Sequence, residues 1–180
     1  MPERRAFTIG HSTHAIDAFM GLLRGGGVEA VADVRRFPGS RRHPQFGRDA
    51  LAGALRAAGI EYVHLEALGG RRSVRPGSPN GGWEVRAFQG YADHMASAEF
   101  AAGLGALEAF AGERPTAVMC AEALWWQCHR RLVADALVAH GWAVEHIGPD
   151  GGRTAHELPD FARAAGDGTL TYPAAQLRLT

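Results

Sequence analysis

The stretch GGGVEAVADV, residues 25–34, decides the fold. Three successive glycines do not continue a helix, and the apolar run that follows has the length of a buried strand. Ahead of the glycines, Ile16, Phe19, Met20 and Leu23 recur at the spacing of one helix face. The segment therefore reads as a helix, its stop, and a buried strand from Val28 to Val34. The same alternation extends in both directions. Ala6 to Gly10 is a first strand, and Leu51, Ala54, Leu55 and Ala58 mark a helix closed by Gly59. Ile60 to Leu65 is the third strand and Thr116 to Cys120 the fourth. Leu132, Ala136 and Leu137 lie on a helix ended by Gly141, and Trp142 to Ile147 is the fifth strand. Between the third and fourth strands, Tyr91, Met95, Phe100, Leu104, Leu107 and Phe110 predict helical structure, with a break expected near Gly103 to Gly105. A short helix is expected around Leu158 to Ala164.

Strands alternating with helices require right-handed crossovers, hence a mostly parallel sheet with helices on both faces. The expectation is one α/β domain over residues 1–180, a Rossmann-like three-layer fold with five strands. Residues 69–82 are rich in Gly, Pro, Arg and Ser and carry no core pattern, which reads as a loop or lid.

The 180 residues suit one domain, and 19 basic residues balance 19 acidic ones. The halves differ: residues 1–90 hold 13 Arg against 8 acids, residues 91–180 hold 6 against 11. Lys is absent, which excludes Schiff-base chemistry and Lys-dependent phosphate loops. Abundant Ala and Gly beside Arg suggest a compositional bias, so Arg number alone carries little weight. The 2 Cys cannot form a disulfide framework. No apolar run has the length of a membrane span or a signal core, and a cytoplasmic location is expected.

In parallel sheets, ligands bind beyond the carboxyl ends of the strands. Those ends here carry His11 and Ser12, Asp33 to Arg35, Glu66 to Gly70, Cys120 to Glu122, and His146 to Gly148. The densest segment runs from Cys120 to Arg130. Cys128, His129 and Arg130 are expected near the first turn of a helix, whose partial positive charge favours anions and lowers a thiol pKa. Two half-buried core thiols are the plainer alternative. Cys120, Glu122, Cys128 and His129 offer four metal ligands, but adjacent Cys128 and His129 diverge on a helix, so zinc is the weaker reading. A zinc deaminase is weaker still, because no Pro-Cys-x-x-Cys follows.

The second segment runs from Asp33 through Arg35 and Ser40 to Arg41. A strand-end carboxylate suits a general base, a nucleophile or a ribose ligand, and Arg35 and Arg41 suit a bidentate grip on phosphate or carboxylate. An internal Asp33–Arg ion pair shaping the loop is the alternative. Gly25 to Gly27 ends a helix rather than following a strand, so it is no dinucleotide fingerprint. Trp125 and Trp126 read as core or lid residues, with base stacking as the other use.

With these motifs in place, the sequence resembles the domain-of-unknown-function family number 488. The matching stretches are Thr8 to Ser12, Asp33-Val-Arg35 with Pro38, Ser40 and Arg41, Gly59 to Tyr62, Leu68 to Gly70, Tyr91 to Met95, Met119 to Glu122, Cys128-His-Arg130, and His146-Ile147. Leu124 to Gln127 is bulkier and more apolar than the family pattern. The resemblance implies no settled activity. It marks His11, Ser12, Asp33, Arg35, Ser40, Arg41, Cys120, Glu122, Cys128, His129 and Arg130 as motif positions. The leading expectation is an enzyme, a hydrolase or transferase, acting on an anionic, phosphate-bearing substrate related to nucleotides or nucleic acid. Arg35, Arg41 and Arg130, with His11, Ser12 and Ser40, would hold the substrate. Asp33 and Glu122 would exchange protons, and Cys128 with His129 would supply a nucleophile or polarising pair. The alternatives are a non-catalytic nucleic-acid or anion-binding module, and a metal or redox protein built on Cys120, Cys128 and His129. No cofactor is expected, no membrane partner either, and the oligomeric state is open.

Overall fold

The glycine stop at residues 25–27 works as its composition dictates. In the computed structural model, which describes residues 2–175, α1 (Ile16–Gly25) ends there and Gly27 takes φ 70°, a left-handed conformation that favours glycine. The chain then enters β2 (Ala30–Asp33), after β1 (Arg5–Gly10). It continues through α2 (Arg48–Ala57), β3 (Glu61–His64), α3 (Arg86–His94), α4 (Ala98–Glu113), β4 (Thr116–Cys120), α5 (Arg130–Ala139) and β5 (Ala143–Ile147).

These strands form the parallel sheet expected from the sequence, in the order β3-β2-β4-β1-β5. A sixth strand, β6 (Arg153–Ala155), adds antiparallel to β5, so the main sheet has six strands and not five. Alternation along each strand feeds two cores. Val31, Ala117, Met119 and Ile9 face Phe19, Leu23, Leu51 and Leu55 of α1 and α2. Ala32, Val118 and Val144 face Leu104, Leu107, Leu132 and Leu137 of α4 and α5. Each such large side chain contributes roughly 1.5–3 kcal/mol by leaving water, so both layers are held by burial on both faces of the sheet.

Two local expectations fail. The helical stretch breaks at Met95 to Ser97, not near Gly103 to Gly105, because Ser97 caps α4 by accepting from the Phe100 N–H at 3.1 Å. The expected helix around Leu158 to Ala164 is absent; that stretch ends in β7 (Arg163–Ala164), paired antiparallel with β8 (Leu170–Thr171). Between α3 and the tail, Asp93 accepts from the Arg75 N–H (2.8 Å), Ser78 Oγ (2.6 Å) and Asn80 Nδ2 (2.7 Å). Buried Asn80 in turn accepts from the Tyr172 N–H at 2.9 Å. The second half of segment 69–82 is thereby tied to the body of the protein.

The α5 side of the sheet also buries a polar chain. Asp135 accepts from His156 Nε2 at 2.6 Å, His156 Nδ1 accepts from His146 Nε2 at 2.8 Å, and His146 Nδ1 accepts from the Thr8 hydroxyl at 2.6 Å. Tyr172 donates to the other Asp135 oxygen at 2.7 Å. The links are consistent with a neutral His146 ring, whose pKa is lowered to about 3 by burial, followed by the neighbouring His156 and Arg130.

Candidate functional site

β1 and β2 leave the sheet toward α1 and α2 on one face, whereas β4, which lies between them, leaves toward α5 on the other. Loops that diverge at the carboxyl edge open a crevice at this switch point. The walls of β1 and β4 meet closely: the His11 N–H donates to Cys120 O and the Ser12 N–H to Ala121 O, both at 3.0 Å. A Cβ on Gly10 would stand 1.7 Å from Glu122 O, so only glycine lets the Glu122 loop lie against the end of β1.

The crevice is a cleft of about 610 Å³ lined by His11, Ser12, Arg35, Phe37, Ser40, Arg41, Arg42, His43, Arg71 and Glu122, among others. It adjoins a smaller cavity of about 220 Å³ whose wall includes Cys120, Cys128, His129 and Gly70. Arg35, Phe37, Arg71, Ala121 and Glu122 line both. Of the ten residues given a catalytic or substrate-holding role from the sequence, eight line one continuous edge, while Asp33 and Arg130 stand behind it.

Asp33 is fully buried and saturated. It accepts from the Arg35 backbone N–H (3.1 Å), Arg35 Nε (2.9 Å), Arg35 NH2 (2.7 Å) and Tyr62 OH (2.6 Å). Arg35 NH1 donates to Phe46 O at 2.7 Å and toward His11 Nε2 at 3.4 Å. The bidentate fork of Arg35 is thus spent inside the protein, and what it offers the cleft is charge. His11 stacks on Phe46 at 4.3 Å and donates from Nδ1 to Ser12 O at 2.9 Å; burial, with the Arg35 charge adding, lowers its pKa to about 4. Ser40 Oγ accepts from the His43 N–H at 2.9 Å and shapes the turn that presents Arg41 and Arg42.

The rim differs. Arg41, Arg42 and Arg71 are exposed and form no ion pair among the described residues. Glu122, also exposed, is the one carboxylate in either lining. Among the described residues the non-glycine positions with positive φ are Ser12 (49°) and Arg71 (60°), both on the cleft wall. Such backbone costs on the order of 1–3 kcal/mol and clusters at working sites. From segment 69–82, Gly70 and Arg71 are the residues that reach the cleft. A Cβ on Gly70 would meet His129 Nδ1 at 2.9 Å, so the bare backbone leaves that ring room beside the smaller cavity.

Sequence reasoning did not single out Phe37, which is 62% exposed at the cleft mouth with the Arg36 and Arg71 guanidiniums 5.4 and 5.9 Å from its ring. Its position right after Asp33-Val-Arg35 was the available signal. His43 and Arg42 were also passed over.

Cys120 and Cys128 are free and buried; Cys120 Sγ donates to Glu122 O at 3.7 Å, and Cys128 Sγ lies 3.5 Å from His129 Nδ1. Cys128 precedes α5, and burial followed by the neighbouring Cys120 pushes its thiol up, contrary to the lowering expected at a helix amino end. Burial also opposes ionisation of Cys120, but the neighbouring Cys128, the Arg130 charge and the backbone at Glu122 outweigh it and hold that thiol below its ordinary value. His129 donates from Nε2 to Val34 O at 3.0 Å; burial and then the Arg130 charge lower it to about 4, so it is neutral beside Cys128. Among the described residues no three His, Cys, Asp or Glu side chains are grouped to hold a metal ion. None of the described helices is long and apolar enough to cross a membrane.

A family model described as Domain of unknown function DUF488 matches residues 15–137 of the 180. The chain belongs to this family. Its match covers Asp33 to Arg41 and Cys120 to Arg130, while the DUF488-like stretches at Thr8 to Ser12 and His146-Ile147 lie outside the matched residues. None of the curated proteins and none of the solved structures matches the chain.

Proposed function

We propose that this DUF488 protein is an enzyme acting on a phosphate-bearing substrate of the nucleotide type, by hydrolysis or group transfer. The observation that carries the reading is the rim: Arg41, Arg42 and Arg71, without carboxylate partners among the described residues, surround a cleft whose one acid among them is Glu122. Guanidinium forks free of internal partners suit phosphate oxygens. Exposed Phe37 beside them supplies an apolar face on which a base can stack, flanked by the positive charge that a phosphate follows.

The roles follow from what each side chain has left to give. Asp33 holds Arg35, and the pair positions the loop that carries Phe37 to Arg42. Glu122 is free to exchange protons with a reacting group. Neutral His11 and His129 are suited to hydrogen bonding rather than charge pairing. Chemistry that needs two free carboxylates, such as glycosidic cleavage by a pair of acids, has Glu122 but not Asp33, whose oxygens are occupied.

Calorimetric titration with a nucleoside 5′-monophosphate, the matching nucleoside, and inorganic phosphate tests the proposal. The nucleotide is expected to bind tightest, and Phe37→Ala is expected to weaken the nucleotide about 10-fold, from stacking worth ~1–3 kcal/mol, while leaving phosphate unchanged. Equal affinity for nucleotide and phosphate in wild type and variant would remove the base from the account. Product analysis with Glu122→Gln then separates an enzyme from a binding module: turnover lost with affinity kept is the enzyme's outcome.

A further inference from the structure

Trp125 is half-buried and lines neither cavity, yet its neighbours form a cleft wall. The connector from Ala123 to Gln127 joins Glu122 to Cys128, and its Ala123, Leu124 and Gln127 line the larger cleft. The backbone at either end is tied down. The Glu122 carbonyl lies against Gly10, and the Ala123 and Trp126 carbonyls accept from Arg130 NH2 at 3.1 Å and Arg131 NH1 at 3.2 Å. The middle is a single 3-10 turn (Trp125–Gln127), closed by the Gln127 N–H on Leu124 O at 3.1 Å and the Cys128 N–H on Trp125 O at 3.3 Å. One such turn has little stability of its own, so its place depends on what its side chains rest on.

The Trp125 ring rests on the buried polar chain. It lies parallel to the His146 ring, 4.3 Å away with 3° between the planes, and meets the edge of His156 at 5.5 Å. The Arg131 guanidinium stands 5.5 Å from the same indole. A stacking platform is useful only if its plane is fixed, and both His146 nitrogens are engaged. Nδ1 accepts from the Thr8 hydroxyl at 2.6 Å, and Nε2 donates to His156, whose own Nε2 donates to Asp135. Thr8 lies on β1, His146 beside it on β5 and Asp135 on α5, so three elements of the body set the plane of one ring.

We infer that His146 and Trp125 are positioning residues of the cleft. The chain from Thr8 to Asp135 fixes the His146 ring, that ring seats Trp125, and Trp125 holds Leu124 and Gln127 in the cleft wall next to Glu122. Two jobs of His146 are thereby separable. Its nitrogens complete the buried hydrogen bonds, which is a matter of stability, while its flat face seats the indole, which is a matter of where the wall stands. The inference rests on the nucleotide-type cleft proposed above, yet the placement of the wall can be read with no ligand present.

Hydrogen exchange of the Gln127 and Cys128 amides in the ligand-free protein is the test, with titration of a nucleoside 5′-monophosphate beside it. Trp125→Ala should speed exchange at these two amides about 2- to 10-fold, the range that one stacked aromatic pair supports. It should weaken the nucleotide by a similar factor and leave the amides of β1 and β5 as protected as in wild type. Trp125→Phe, which keeps a flat ring, should restore both readings. His146→Phe should melt earlier, because Thr8 and His156 each lose a partner, yet keep the connector protected, whereas His146→Gln should loosen it. If His146→Phe does not fold, the two Trp125 variants decide. Connector exchange unchanged in Trp125→Ala, loosening as large in Trp125→Phe as in Trp125→Ala, or looser exchange with nucleotide affinity intact overturns the inference. A wild-type protein that binds no nucleotide but shows the expected exchange pattern refutes the nucleotide reading alone and supports the seating of the wall.

Discussion

Arg35 and Arg41 are six positions apart on the same loop and line the same cleft, yet they are opposite kinds of residue. Arg35 is 8% exposed, with Asp33, Phe46 O and His11 taking its donors. Arg41 is exposed and has no ion-pair partner among the described residues. A motif marks both and treats them alike. What separates them is whether the fold has already used their hydrogen-bonding capacity, and the same distinction sets Asp33 apart from Glu122. The floor of the cleft builds the site, and the rim meets the ligand.

The largest effect should come from breaking the floor. Asp33→Ala leaves Arg35 buried without its counter-charge, a change expected to cost about 3–5 kcal/mol of stability. Denaturant unfolding measures it, and a loss below about 1 kcal/mol would make Asp33 a site residue rather than an anchor.

Acid should act on the same buried layer. His11, His129 and His146 have folded pKa values of about 4, 4 and 3, below the ~6.5 of the unfolded chain. Between those limits the unfolded chain binds more protons, so stability rises with pH; it is complete above about 6.5 and is lost as pH falls toward 4. The slope is at most about 1.4 kcal/mol per pH unit for each group, reduced where water reaches the ring. His146→Gln should flatten it, and a melting temperature that is flat from neutral pH to 4 would contradict burial of neutral imidazoles.

A smaller loss is expected at Tyr62, whose hydroxyl donates to Asp33 from the neighbouring strand. Tyr62→Phe removes one hydrogen bond to a charged acceptor, about 1.5–3 kcal/mol, and should leave anion affinity within twofold.

The fold was legible wherever an apolar run ended at glycine, which is why all five parallel strands and the helices between them could be read. Strand β6 was not, because Arg153, Thr154 and Ala155 are all exposed and an edge strand of that length has no apolar pattern. Gly103 and Gly105 looked like a helix break, yet the structure keeps both inside α4 and the cap at Ser97 sets its start. At the site, residue types and strand ends pointed to the carboxyl edge of the sheet, where the structure has a cleft lined by His11, Arg35, Arg41 and Glu122. The role of Asp33 was hidden, because its saturation depends on Tyr62 and on a side-chain geometry that spacing does not carry. Arg130 was named as a residue that would hold substrate, but its burial was hidden for the same reason: it is a property of the folded chain.

The division between floor and rim is tested most directly by measuring melting temperature and nucleotide affinity side by side in Tyr62→Phe and in Arg41→Ala combined with Arg71→Ala. The account predicts a crossed result. Tyr62→Phe melts earlier and binds normally, while the double arginine variant changes stability by no more than about 0.5 kcal/mol and loses affinity at least 10-fold, as expected for charge-assisted contacts of about 1.5 kcal/mol or more. A double variant that binds the nucleotide as tightly as wild type would contradict it.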